Sequence, residues 1–239
     1  MEKKFLNIAI DGPVAAGKGS VAFALAQKYN LLYIDTGAMY RTVAYLVTHN
    51  NLNLNNENLI LEKLKKTQIK LSKPTAREQD GRFITVQLNN QDISWKIRTE
   101  EIGLAASNIS TLKKIRQFLV KKQQQIAQNN NIVMEGRDIA SKVLPSAQLK
   151  IFLTAKQEIR ANRRWLQLKN KGKNIIFKQI LEQLKQRDYQ DVNREESPLL
   201  IVKNSIIIDS SNLTIQQIIT KIDKKLKRII KKEKIQIYD

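Results

Sequence analysis

A chain of 239 residues with 42% hydrophobic content has room for one large domain with insertions around a packed core, which excludes a disordered polyelectrolyte despite the net charge of +20. The absence of cysteine excludes disulfides and thiolate zinc sites, and a single histidine, His49, excludes a histidine-rich metal site; any metal should be Mg²⁺ held by oxygens. No apolar run approaches the roughly 20 residues needed to cross a bilayer, and the N-terminus enters the first strand without an export signal, so the expectation is a cytoplasmic protein with no membrane partner.

In chain order, residues 5–10 read as a buried central strand, followed by Gly12-Pro13-Val14-Ala15-Ala16-Gly17-Lys18-Gly19-Ser20 and a helix starting near Lys18. A strand running into a glycine-bounded loop that ends in lysine is the layout of a phosphate cradle. Backbone N–H groups and a helix N-terminus face one spot there, and Lys18 can reach the outer phosphates of a nucleoside triphosphate such as ATP. The residue after the lysine is Gly19, so the hydroxyl that would face Mg²⁺ comes one place late, at Ser20. Residues 31–34 are a second predicted strand, with Asp35-Thr36-Gly37 leading into a helix from 38 to about 48 capped by a hydroxyl.

From 68 to about 92 the pattern changes to extended segments, 69–71 and 82–88, with Asn89-Asn90 as a tight turn before 91–93. This reads as a small antiparallel insertion, with an edge hairpin of the main sheet as the alternative. Strands at 132–134, 149–153 and 206–208, separated by helical segments, restore a βα alternation and predict a doubly wound, mostly parallel α/β sheet. Residues 221–234 place apolar positions at helical spacing and leave the lysines on a solvated face, so nucleic acid is not the expected main partner. Trp95, Trp165 and the few tyrosines are scattered and form no base-stacking cluster.

Charged motifs fall at the ends of these elements. Arg41 lies within the helix after Thr36, where it can reach a bound anion or be a surface arginine on a capped helix; Glu135-Gly136-Arg137-Asp138 leaves a buried strand, and Arg137 suits bidentate phosphate binding or a structural ion pair. Arg160, Arg163 and Arg164 share one face of a helix closed by Gly172, where three guanidiniums can converge on transferring phosphates or serve as a solvated basic face. Arg187, Asp191 and Arg194, at spacings of four and three, also share a helical face, either as an exposed salt-bridged helix or as part of a nucleotide site.

Together with Ile97-Arg98-Thr99-Glu100-Glu101, these motifs resemble the bacterial cytidylate kinase family over residues 5 to about 225. The Gly-Lys-Gly-Ser ending resembles nucleoside monophosphate kinases rather than general P-loop hydrolases. The resemblance implies a P-loop five-stranded parallel core, a monophosphate-binding insertion at 68–102, a helical lid at 156–173, and core segments at 1–67, 103–155 and 174–239. It also implies ATP with Mg²⁺, held mainly by the ATP phosphates with Ser20 as candidate ligand, and CMP or dCMP as acceptor. By the same carry-over, Gly12 to Ser20 bind ATP; Thr36, Arg41, Arg137 and Arg187 surround the monophosphate; Ser107, Arg116 and Asp138 read cytosine; Asp191 and Arg194 lie at the sugar. Lys18, Arg137, Arg160 and Arg163 are the expected catalytic residues.

The chain departs from the family where Val14-Ala15 replaces a frequent Ser-Gly, Ser20 a frequent Thr and Thr36 a frequent Ser; the Lys-rich end beyond about 225 has no matched counterpart. An ionised monophosphate acceptor needs no general base, so none is expected. A kinase for UMP, AMP or another small molecule, and a nucleic-acid-binding P-loop regulator, are the alternatives. Nothing in the sequence calls for more than a monomer.

Overall fold

The computed structural model describes residues 4–54, 56–170 and 172–235. In chain order the elements are β1 (Asn7–Asp11), α1 (Lys18–Lys28), β2 (Leu32–Asp35), α2 (Thr36–His49), α3 (Glu57–Lys65), β3 (Ile69–Ser72), β4 (Thr85–Leu88) and β5 (Gln91–Asp92). They continue with α4 (Glu100–Ile109), α5 (Lys113–Gln128), β6 (Ile132–Gly136), β7 (Leu149–Thr154), α6 (Gln157–Lys169), α7 (Phe177–Asn193), β8 (Ile206–Asp209) and α8 (Ile215–Glu233). A five-stranded sheet runs in the order β2-β6-β1-β7-β8, and a separate three-stranded sheet in the order β3-β4-β5. The α/β P-loop fold therefore carries its antiparallel piece as a second sheet, not as an edge hairpin of the first.

The chain divides into two compact units, one formed by the segment up to Leu31 and everything from Val133 onward, the other by Leu32–Ile132. In the first unit β1 pairs in parallel with β7, Asp11 opposite Phe152, and β7 with β8, Ile151 opposite Ile206. Ile8, Ala9 and Ile10 are completely buried, which is why β1 reads as a continuous apolar run: a parallel strand covered on both faces has no solvent side to alternate toward. Each such isoleucine contributes roughly 1.5–3 kcal/mol by leaving water. α8 packs on α1, buries Ile218, Ile219, Ile222 and Leu226, and starts in a capping box between Thr214 and Gln217. Its Asp223 takes hydrogen bonds from Tyr29 and Lys28, leaving Lys221, Lys224 and Lys225 exposed as expected. α6 and α7 share a cluster of Ala161, Leu168, Ile180 and Leu184, against which Val14 and Trp165 pack. Gly172 at φ 73°, with Lys173 N–H bonding back to Leu168 O, closes α6 in a left-handed turn.

In the second unit α2 packs on α4 and α3 on α5. β3 and β4 pair antiparallel, Ile69 opposite Leu88, and the turn into β5 uses Asn89 and Asn90 at φ 49° and 65°. Two left-handed residues in a two-residue loop match the right-handed twist of the flanking strands, and asparagine tolerates that conformation better than most residues.

Four sequence expectations need correction. β4 begins at Thr85, and Arg82 bonds through its side chain to Asp80 and Ser94 instead of opening the strand. α2 begins at Thr36, so the cap is the Asp35 carboxylate accepting from Ala38 N–H at 2.9 Å, not a threonine hydroxyl. Arg194 lies past the end of α7 in extended conformation and so does not share a helical face with Arg187 and Asp191. Arg160, Arg163 and Arg164 are directed to three different sets of partners.

Candidate active site

In the first unit the loop after β1 has the conformation a phosphate cradle requires. Gly12, Ala15 and Gly17 have φ of 151°, 59° and 94°. Gly12 is irreplaceable on packing grounds, since a Cβ there would overlap the Leu153 carbonyl of the neighbouring strand. Ala15 holds a left-handed conformation that costs an L-alanine roughly 1–2 kcal/mol. Lys18, at the first position of α1, folds its buried ammonium back onto the Pro13 carbonyl at 2.8 Å. Burial, with Arg137 nearby, pushes that ammonium well below the ordinary lysine range, against the pull of Glu135, Asp191 and Asp11. A bound triphosphate would supply the negative charge that restores the proton. Ser20 follows in the same helical turn, half-buried.

Residues distant in sequence gather around this loop. Asp11, the last residue of β1, accepts from the N–H groups of Ile139 and Ala140, one to each carboxylate oxygen, both at 2.8 Å. These bonds tie the single π-turn at Ile139–Val143 to the end of β1 and so hold the segment after Arg137-Asp138 beside the cradle. Burial raises the Asp11 carboxyl to about 6, with Asp138 adding to the effect and the two backbone bonds and Lys18 opposing it. Arg137 donates through Nε to Asp191 Oδ2 at 2.7 Å, and Arg194 approaches the other oxygen at 3.9 Å. Burial alone would raise the Asp191 carboxyl, but Arg137, Arg187 and Arg194 hold it below the usual carboxylate range. Lys18, Arg137, Asp138, Arg187, Asp191 and Arg194, separate in the chain, thus occupy one charged neighbourhood.

The arginines of α6 are spoken for by protein oxygens. Arg160 is buried and donates to Ala155 O at 3.0 Å, to Val14 O at 3.1 Å and, through two nitrogens, to Asp188 at 3.0 and 2.6 Å. Arg163 donates to Ser210 Oγ at 3.0 Å and Ser210 O at 2.6 Å, while Arg164 reaches Gln167 within its own helix.

The second unit holds the other predicted residues. Thr36 opens α2, buried, and Arg41 lies further along the same helix. The Asp35 carboxylate accepts from Arg98 at 2.9 Å and has Arg41 close by; although burial opposes it, Arg98, Arg41 and the Ala38 N–H keep the group below the usual carboxylate range. At Gly37 a Cβ would stand 3.0 Å from Asp35 Oδ1, so a larger residue would have to displace that carboxylate by a few tenths of an ångström. Ser107 lies in α4; Arg116, buried in α5, donates to Ser110 O at 2.8 Å and stands 5.5 Å from the centre of the Tyr40 ring.

Sequence reasoning missed Asp11, Asp188 and Ser210 and gave no role to Asp35 or Arg98. Arg98 stood in a quoted motif and Asp35 ended a predicted strand, so both had a signal. Asp188 had one too, as the residue after Arg187 in the late Arg-Asp motif, whereas Ser210 had none, because its importance lies in a contact with Ala16 far away in the chain.

The family model for cytidylate kinase matches residues 8–228. A curated cytidylate kinase from Caldicellulosiruptor bescii is 41% identical over 230 residues, covering 96% of this chain and 99% of that protein. The cytidylate kinase of Bacillus subtilis is 42% identical over 222 residues, covering 93% and 96%. Among solved structures, the shikimate kinase of Bacteroides thetaiotaomicron is 12% identical with a TM-score of 0.44, covering 96% and 99%. A glycine-bounded phosphate loop, an arginine-held Asp191 beside it and a family match over nearly the whole length lead to one conclusion: the chain belongs to the cytidylate kinase family.

Proposed function

We infer that the chain transfers the γ-phosphoryl group of ATP to CMP and dCMP, giving ADP with CDP or dCDP. Beside the family membership, the observation that carries this reading is the grouping of buried Lys18 and half-buried Arg137 around the phosphate loop, with Asp191 pairing Arg137. Two cations held next to a cradle of backbone N–H groups suit the charge of a phosphoryl group in transfer, which needs positioning and neutralisation more than covalent chemistry. The acceptor phosphate is already ionised at neutral pH, so no side chain has to remove a proton from it.

Residue by residue, Gly12 to Ser20 would hold ATP. Thr36, Arg41, Arg137 and Arg187 would contact the acceptor phosphate, Ser107, Arg116 and Asp138 the cytosine, and Asp191 and Arg194 the ribose. Lys18, Arg137 and Arg163 would stabilise the transferring group, while the bonding of Arg160 to Val14 O and Asp188 supports a positioning role for it. Mg²⁺ would enter with ATP, held mainly by phosphate oxygens, with Ser20 as the protein hydroxyl that would join them. Bound there, the ion would neutralise charge on the outer phosphates. Residues 68–102 would serve as the acceptor-binding insertion and 156–173 as a lid that keeps water from the phosphoryl group. No described helix is long and apolar enough to cross a membrane, and we place the protein in the cytoplasm as a monomer acting on small-molecule nucleotides.

The test is ADP release with ATP·Mg²⁺ and CMP, dCMP, UMP, AMP or GMP in turn. CMP and dCMP should be the preferred acceptors, and inactivity with all five would defeat the reading. Asp138→Ala should lower kcat/KM for CMP roughly a hundredfold, the loss expected when a base edge is left unread, with the KM for ATP little changed. An equal loss for both nucleotides would remove Asp138 from the cytosine site.

A further inference from the structure

Two peptide groups of the phosphate loop are held by side chains from outside the loop, Arg160 of α6 and Ser210 after β8. In a trans peptide the carbonyl of one residue and the N–H of the next point in opposite directions, so fixing the carbonyl aims the N–H. The Val14 carbonyl accepts from Arg160 at 3.1 Å, which turns the Ala15 N–H to the other side; the Ala16 carbonyl accepts from Ser210 Oγ at 2.9 Å, which does the same for the Gly17 N–H. The two anchors are themselves fixed. Arg160 is clamped by both oxygens of Asp188, and Ser210 is buried after β8, with its N–H on Thr154 O.

The proton arrangement at Ser210 follows from its inventory of one O–H and two lone pairs. Its hydrogen goes to Ala16 O, so its lone pair is what meets Arg163 at 3.0 Å, while Arg163 also grips the Ser210 carbonyl at 2.6 Å. A guanidinium donating to a hydroxyl that donates to a peptide carbonyl polarises that peptide, and the N–H on its far side, Gly17, becomes a stronger donor toward an anion. Val14 adds an apolar anchor, its side chain packing on the α6–α7 cluster of Ala161, Leu168, Ile180 and Leu184. Between the two anchored peptides stands Ala15, whose left-handed φ of 59° an alanine does not hold unaided.

We propose that Ser210 and Arg160 are positioning residues for the donor: they lock the Val14 and Ala16 carbonyls away from the loop so that the Ala15 and Gly17 N–H groups are aimed at the triphosphate before it arrives. The proposal rests on the ATP-dependent reading above. It also gives Arg163 a resting place from which its charge acts through Ser210 on the loop.

The experiment compares wild type, Ser210→Ala, Ser210→Thr and Ser210→Cys, each assayed for CMP phosphorylation and for stabilisation by ATP and by tripolyphosphate in thermal melts. Ser210→Ala is expected to raise the KM for ATP about tenfold, to leave the KM for CMP within twofold and to lose most of the melting shift given by tripolyphosphate; Ser210→Thr, which keeps the hydroxyl, should recover at least half of the loss. A merely structural serine would lower the melting temperature and kcat while sparing the KM for ATP, and that result would overturn the proposal. Should Ser210→Ala not be recovered folded, the near-isosteric Ser210→Cys decides by the same split, since a thiol is a poor donor to Ala16 O. If wild type phosphorylates no nucleoside monophosphate, the kinase reading fails; if it does and neither Ser210→Ala nor Ser210→Cys changes the KM for ATP, only the positioning inference fails.

Discussion

The phosphate loop of the first unit and the arginine-bearing constellation of the second are held in shape by opposite means. The loop presents main-chain N–H groups from consecutive residues, and what matters in it is conformation: Gly12 is fixed by its φ and by the approach of Leu153, and Gly17 by its φ. The second unit uses guanidiniums, Arg41 and Arg98, set around one buried carboxylate, Asp35, which also caps α2. A backbone site tolerates changes of side chain and fails on changes of shape. A side-chain site behaves the other way, because each charge is oriented by one partner.

Removing the loop's own charge should have the largest effect. Lys18→Met is expected to lower kcat/KM for CMP phosphorylation roughly a thousandfold, at the upper end of what one charged donor at a transferring group supplies. The same substitution should stabilise the nucleotide-free protein. Burial lowers the Lys18 ammonium from 10.5 to about 7, so between those values the unfolded chain binds the extra proton and wild-type stability rises with pH. The melting-temperature advantage of Lys18→Met should therefore be greatest at or below pH 7 and shrink as the pH approaches 10. An advantage that stays constant with pH would show that the lysine is not desolvated in the free protein.

The corresponding change in the second unit is Asp35→Asn, which keeps a good N-cap but leaves Arg98 and Arg41 without their shared anion. A loss of about 2 kcal/mol is expected, less than for a fully buried pair because Arg98 is partly exposed. The Asp35 carboxyl lies below its ordinary value in the folded chain, so its contribution is complete above about pH 4 and disappears as the pH falls through the folded value. Denaturant titrations at pH 7 and pH 3 should show the variant closer to wild type at the lower pH; an equal gap at both would mean that the ion pairs contribute little.

Ala15→Gly probes the backbone side of the comparison with the smallest expected effect. It releases a left-handed alanine at the expense of a more flexible unfolded chain, and a net gain of about 0.5 kcal/mol is expected. A loss on thermal melting would mean that the loop holds Ala15 without strain.

Much of this was legible before the structure. The phosphate loop is local: nine successive residues carry the glycines and the lysine in order, so spacing alone exposed it. The Asn89-Asn90 turn was readable for the same reason, since left-handed turns select few residue types. The start of α2 was misplaced because Asp35 and Thr36 are both good caps, and only the carboxylate's bond to Ala38 N–H distinguishes them. Arg194 was assigned to a helix that ends one residue earlier, where Leu199 N–H returns to Asp191 O.

The amino-acid sequence by itself determined the fold class, the phosphate loop and the family, because buried parallel strands and backbone anion sites impose their pattern on neighbouring residues. Only the tertiary structure decided which charges meet. Arg160 goes to Asp188 and Val14 O, Arg163 to Ser210, and Arg137 to Asp191, although in sequence all three are equally plausible ligands for phosphate. The physical reason is that a guanidinium's partner is whatever acceptor the packed elements leave within about 3 Å, and no local spacing encodes that distance.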